Sequence, residues 1–459
     1  MKHLFITVSL FQLFPSLLFS QVLTLPNALD ISLKNYQLIK ARKNYADAAN
    51  AAVITARRDG LPDITLAGQQ EYGSLDGMNG LSSGLQGITT ITNGPALPAQ
   101  SWNSAFGSLY VSNISWNIFS FGLQRAHVVA AKGIYDQEEA GYEQEKFLLQ
   151  IKVISGYFDL LGAQRLRFSM QANLARATDL AMTIHARTDN GLNPGVDSSI
   201  ADAEVSRARL SLTDAINYEQ TKASQLATVL GVTTQNFMLD SSYVNRLPGG
   251  MLQPLSNSHP VLFFLSRRIE ASALQASYLK KTGMPRFSLF GVLQDRGSGF
   301  GEAYGPANPK DYTTNYYDGI RPTRANYLLG IGLTWNITDY SRSASKAKSQ
   351  QFLSAALTSE YRQQQNDLAN QSILADRQIE NALSRYRETP VQLKAATDAY
   401  LQKMELYSNG LANISDVAQA LYTLSRAQTD KDIAYNAVWQ AVLFKAASTG
   451  DLSGFLSQL

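Results

Sequence analysis

Cysteine is absent from the 459-residue chain. That excludes a disulfide framework, a thiolate metal site, a cysteine nucleophile and a lipid anchor on an N-terminal cysteine. An excess of one charge is absent too, with 40 Lys and Arg against 37 Asp and Glu. Such a balance gives no basic footprint for nucleic acid. Histidine is scarce, and His3, His127, His185 and His259 show no ligand spacing. There is no Gly-x-Ser-x-Gly elbow and no His-Glu-x-x-His pair, so no hydrolytic constellation is expected. The chain reads as no enzyme, with no cofactor and no metal. After residue 21 it also lacks any apolar run of the ~20 residues that a spanning helix needs.

The N-terminus has the form of a secretory signal. Lys2 and His3 precede an apolar stretch from Leu4 to Phe19, broken at Pro15, and Ser20 offers a small residue before Gln21. The chain is therefore expected to be exported with residues 1–20 removed. Without a helical span, it is either soluble or enters a membrane as strands.

The rest is a duplication. Arg57-Arg58-Asp59-Gly60-Leu61-Pro62 recurs as Lys280-Lys281-Thr282-Gly283-Met284-Pro285, and Trp116-Asn117-Ile118 as Trp335-Asn336-Ile337. Asn190-Gly191-Leu192 recurs as Asn409-Gly410-Leu411, Asp197 as Asp416, and Ser206-Arg207-Ala208 as Ser425-Arg426-Ala427. Self-similarity at a fixed offset marks repeated structural units. The expected organisation is a signal at 1–20, a first repeat at 21–231, a linker at 232–256, a second repeat at 257–447 and a C-terminal tail at 448–459.

Each repeat has the same order of elements. Helices are expected over 27–59 and 259–282, ended by the Gly-apolar-Pro words, since Gly caps helices and Pro cannot continue them. Strand pairs follow. Residues 63–73 alternate Ile64, Leu66 and Tyr72. Residues 327–337 put Tyr327, Leu329, Ile331, Leu333, Trp335 and Ile337 on one face, and small or polar side chains mostly on the other. This period fits a barrel strand between lipid and water, or a sandwich strand facing a soluble core. Polar loops are expected at 74–103 and 295–325. The word Gly297-Ser298-Gly299-Phe300-Gly301 lacks a following Lys-Ser/Thr and reads as loop.

Next come helices of unusual length, Leu123 to about Asp189 and Ser341 to Ser408, about 100 Å each at 1.5 Å per residue. Only a coiled-coil assembly accommodates such lengths. They reverse at 190–195 and 409–413, where Asn-Gly signals a turn, and shorter helices return over 196–231 and 415–447. Four strands cannot close a barrel and open edges are not tolerated in lipid, so a membrane barrel must be shared between copies.

Taken in order, these words resemble the TolC family of outer-membrane efflux proteins: the Gly-apolar-Pro turns, Trp116-Asn117-Ile118-Phe119 with Gly122 and Ala126, and Tyr407-Ser408-Asn409-Gly410 followed by Asp416-Val417. The resemblance covers about 24–450. It implies a mostly α fold with a small β part: a homotrimer with a shared β-barrel in the outer-membrane lipid and a coiled-coil helical tunnel in the periplasm. It further implies an exit channel passing cargo from a periplasmic adaptor and an inner-membrane efflux pump or ABC transporter. The alternative is a secreted or periplasmic coiled-coil scaffold without a pore.

The same resemblance places Asp416 on a ring of aspartates at the inner mouth and Tyr407 among the gate's hydrogen bonds. Position alone leaves Asp416 equally open to a helix-start role, like that expected of Asp197. Gln419 stands where the family often has a second Asp, and Ala412 where it often has an Arg. Gly191 and Gly410 are expected to allow the reversals. Leu192 and Leu411 beside them are either exposed contacts for the adaptor or buried between helices. Trp116, Tyr327 and Trp335 are expected in the aromatic girdles of the barrel.

Overall fold

The computed structural model describes residues 22–77, 94–233, 236–240 and 259–458. The expected signal at 1–20, most of the linker and part of the first polar loop lie outside the described residues. The elements are α1 (Leu25–Asn35), α2 (Gln37–Arg58), β1 (Asp63–Ser74), β2 (Ser104–Phe119), α3 (Leu123–Asp189), α4 (Gly195–Leu230), α5 (Pro260–Lys281), β3 (Arg286–Ser298), α6 (Tyr316–Ile320), β4 (Arg324–Thr334), α7 (Ile337–Ser408), α8 (Ile414–Thr449) and α9 (Leu452–Leu456). No helix of the described residues is long and apolar enough to cross a membrane.

Two compact units emerge, and each draws on both repeats. One comprises residues 1–46, 137–268 and 357–459, the other 47–136 and 269–356. The first unit is helical. Its core stacks Phe158 on Trp439 with ring centroids 5.2 Å apart, and Phe455 of α9 meets both edge-on. The expected C-terminal tail thus holds a short helix with a core aromatic. The Trp439 indole is satisfied within this core, donating to Tyr435 Oη at 2.7 Å, as a buried indole requires.

The second unit holds a four-stranded antiparallel sheet in the order β1-β2-β3-β4. Its registers repeat with the sequence. Asp63 pairs with Ser115 and Arg286 with Thr334, so the β1–β2 register maps onto β3–β4 through the same offsets that relate the duplicated words. Large exposed side chains share one face: Ile64, Leu66, Ile114, Trp116, Leu293, Leu329 and Ile331. The opposite face carries Asp63, Glu71, Arg286, Arg296 and Arg324. Alternation puts successive side chains on opposite faces, so each strand contributes to both.

Four expectations need correction. The helix expected over 27–59 is broken at Tyr36, whose extended backbone separates α1 from α2. There α1 abuts the C-cap of α4, where a Cβ on Gly231 would sit 3.0 Å from the Asn35 carbonyl carbon. The strand expected over 327–337 runs instead from Arg324 to Thr334, and Ile337 already opens α7. The loop expected at 295–325 begins later, because Asp295–Ser298 pair with the long β2, and it contains α6. Finally, α8 continues two residues past the expected end at 447.

The long helices survive their weak points. Pro390 lies inside α7 and has no N–H for the carbonyl four residues earlier. The Thr389 hydroxyl donates to that carbonyl, Tyr386 O, at 2.8 Å. A local side chain thus replaces the missing backbone bond, and α7 remains one helix of 72 residues.

Candidate functional site

Both helix reversals are built the same way. At the end of α3, Gly191 takes φ 70°, its N–H donates to Thr188 O, and Leu192 N–H donates to Arg187 O. At the end of α7, Gly410 takes φ 72°, its N–H donates to Tyr407 O, and Leu411 N–H donates to Leu406 O. This is the Schellman arrangement, in which a left-handed glycine satisfies the last helical carbonyls. A Cβ on either glycine would meet nothing within 4 Å, so backbone conformation alone demands glycine there. The next residue usually packs back on its helix, yet Leu192 is 69% and Leu411 75% exposed. Both side chains are thus exposed in the single chain.

Beneath the turns the four helices α3, α4, α7 and α8 enclose an apolar layer that includes Ile184, Ala201, Tyr407 and Val417. Tyr407 is only 3% exposed. Its hydroxyl donates to Asp197 Oδ2 at 3.0 Å and accepts from Asn193 Nδ2 at 2.6 Å. Asn193 Nδ2 also donates to Asp197 Oδ2 at 2.9 Å. Asn193 Oδ1 accepts from Arg187 Nε at 3.0 Å, and Arg187 Nη1 donates to Ser408 O at 2.7 Å. Five residues thus lock the first reversal to the second. Burial, with the Asp197 carboxylate beside it, pushes the Tyr407 hydroxyl up to about 12, so it stays a donor.

Asp197 lies in the first turn of α4, as expected. Its Oδ2 reaches across to the other reversal, a role that its position did not announce. Asp416, its repeat equivalent, lies in the first turn of α8 and pairs with Lys403 Nζ at 3.1 Å. Both side chains of that pair are near half exposed. Gln419, one turn on, is also exposed. Arg187 and Asn193 were not singled out from the sequence. The only signals were a basic residue in the last turn of α3 and a second Asn within the Asn-Gly-Leu-Asn-Pro turn.

In the sheet unit the duplicated words meet. Trp116 Nε1 donates to Gly60 O at 2.9 Å, and Trp335 Nε1 donates to Gly283 O at 3.2 Å. Each Trp-Asn-Ile word therefore ties a strand end to the Gly-apolar-Pro turn of its own repeat. Trp335 lies just beyond β4, whereas Tyr327 is within it and 80% exposed. Among the described residues no cluster of His, Asp or Glu could hold a metal ion.

Residues 28–232 match the family model described as outer membrane efflux protein, and the resemblance to the TolC family is borne out. Among curated proteins no sequence match is found. Solved structures share the fold over nearly the whole chain. The outer-membrane channel OprN superposes with a TM-score of 0.72 at 17% identity, covering 93% of this chain and 90% of its own. The CmeC outer membrane channel of Campylobacter jejuni gives 0.73 at 14%, covering 93% and 85%. The open state of the MtrE outer membrane channel of Neisseria gonorrhoeae gives 0.68 at 17%, covering 93% and 89%.

Proposed function

We propose that this chain is the outer-membrane exit channel of a tripartite efflux or type I secretion system, passively conducting cargo received from a periplasmic adaptor and an inner-membrane pump. The observation that carries it is the sheet. One face is apolar and exposed, and β1 and β4 are edge strands of the sheet. Lipid tolerates no open edge, so further copies must close the sheet. Three copies of four strands make a barrel of twelve, within the range of known spanning barrels.

The repeat supplies the register of the seam. Within the chain, Tyr110 of β2 pairs with Asp295 of β3, and Ile114 with Gly291. Applying the repeat offsets sets Leu329 of one copy opposite Tyr72 of the next, and Leu333 opposite Gly68. The lock of Arg187, Asn193, Asp197, Tyr407 and Ser408 then holds the inner mouth closed, with Asp416 as a ring of carboxylates at that mouth. Three like charges in a narrow opening favour cations. Exposed Leu192 and Leu411 are the contacts offered to the adaptor.

Imaging of the detergent-extracted, purified protein tests the proposal. A three-fold particle with a short barrel and a helical tube is expected. A detergent-independent soluble monomer or dimeric rod would overturn it in favour of a coiled-coil scaffold.

A further inference from the structure

The loop that joins β3 to β4 does not stand off as a polar tether. It folds back across the sheet, and it does so on the apolar face. The Ser108 hydroxyl, on that face of β2, donates to Ile320 O at 2.8 Å. Tyr316 Oη donates to Gln70 Oε1 at 2.6 Å. The Tyr316 ring meets Phe106 edge-on at 5.1 Å, and Phe106 lies 4.6 Å from Tyr72. Gly297 and Gly319 make the approach possible. A Cβ on Gly297 would lie 2.5 Å from Arg321 O, and one on Gly319 would lie 2.5 Å from Phe106 O. These are backbone atoms that cannot step aside.

The effect is chemical as well as geometric. Besides Ser112 and Asp295, the apolar face carries the polar side chains Gln70 and Ser108. The loop satisfies both, and it presents Tyr317, 76% exposed, beyond them. The level also fits. Trp116 and Phe106 are ten residues apart on β2, about 34 Å of strand. At the tilt of a spanning barrel that is about 26 Å along the normal, close to the ~25 Å apolar band that aromatic girdles flank. Trp116 stands at one end of that band and the Phe106, Tyr316 and Tyr317 cluster at the other.

We infer that the segment Asn315–Arg321 is an interfacial anchor whose partner is the lipid surface of the outer leaflet, with Tyr316 and Tyr317 lying at headgroup level on the outside of the barrel. It is not a plug, since it covers the face opposite to the one bearing Glu71, Arg296 and Arg324. Amphipathic aromatic rings favour such a boundary, with an apolar body in the acyl region and a hydroxyl in water. The inference rests on the barrel reading above.

The absence of cysteine makes the test direct. Single variants Tyr317→Cys, Leu329→Cys and Lys310→Cys are spin-labelled in the full chain and reconstituted into phospholipid vesicles. Collision with oxygen, enriched in lipid, is then compared with collision with a water-soluble nickel chelate. The expected ratio at 317 falls between a lipid-like value at 329 and a water-like value at 310. Adding Gly319→Val, which displaces the segment from Phe106, should shift the label at 317 to the water-like value. A water-like label at 317 beside a lipid-like label at 329 overturns the anchor and leaves the barrel standing. Water-like values at both overturn the membrane reading itself.

Discussion

Replacing Tyr407 by Phe removes one oxygen from the centre of the lock and almost nothing else. The ring stays buried among Ile184, Ala201 and Val417. The hydroxyl makes two hydrogen bonds, one of them to the Asp197 carboxylate. Bonds to charged groups contribute about 1.5–3 kcal/mol and neutral ones about 0.5–1.5 kcal/mol. Asp197 is only partly buried, and water can take over part of what it loses. A net loss of about 1–3 kcal/mol is expected, equivalent to about 5- to 150-fold in a two-state equilibrium. If the lock exists only in the closed mouth, that factor appears as a rise in open probability in planar-bilayer recordings. A double-mutant cycle with Asp197→Ala should show strong non-additivity, because the two groups share one bond. The pH dependence has a definite sign. Tyr407 is held above its ordinary value of 10, at about 12, so its contribution is full below pH 10 and is lost only as pH rises through about 12. The hydroxyl therefore does not titrate at physiological pH. An unchanged open probability in Tyr407→Phe, together with a lowered melting temperature, would refute the lock as a gate and leave it as a structural brace.

Four further outcomes are expected. The cysteine pair Tyr72→Cys and Leu329→Cys should cross-link copies into ladders on oxidation, whereas Tyr72→Cys with Leu333→Cys, two positions further along the same face, should do so weakly; equal yields would reject the seam register. Leu192→Ser with Leu411→Ser should leave conductance unchanged and abolish adaptor binding in a pull-down, and retained binding would move the docking surface elsewhere. Asp416→Asn should lower cation selectivity in bilayer recordings, less than a bare carboxylate would because Lys403 already pairs with it, and unchanged reversal potentials would remove it from the pore. His259 is buried and neutral: its Nε2–H donates to Ala447 O and its Nδ1 accepts from Val261 N–H. Burial depresses its pKa below 6.5, so its contribution is present above pH 6.5 and is lost as pH falls through the depressed value. Thermal melts from pH 7 to pH 5 should show that loss, and His259→Asn should flatten it.

Much of the molecule was legible in the sequence because its rules are local. The lengths of α3 and α7 follow from the near-absence of helix breakers. The reversals follow from Asn-Gly at 190–191 and 409–410, since only glycine enters the left-handed region without strain. The alternation over 327–333 announced a two-faced strand, and the duplicated words announced two copies of one unit. Other features were decided by atoms far apart in the chain. The break at Tyr36 depends on where α1 meets Gly231. The end of β4 at Thr334 depends on its partner Arg286, where β3 begins just after Pro285. The loop after β3 looked like any polar loop until Gly297 and Gly319 let it close on Phe106.

The two repeat-related aspartates mark the division most clearly. Asp197 and Asp416 occupy the same first-turn position in the sequence and cannot be told apart there. In the folded chain Asp197 faces a buried tyrosine and Asp416 a half-exposed lysine. The glycine reversals and helix propensity determine that a helix begins near each, whereas the packing of Tyr407 and Val417 in the layer between the helices decides which carboxylate meets which partner.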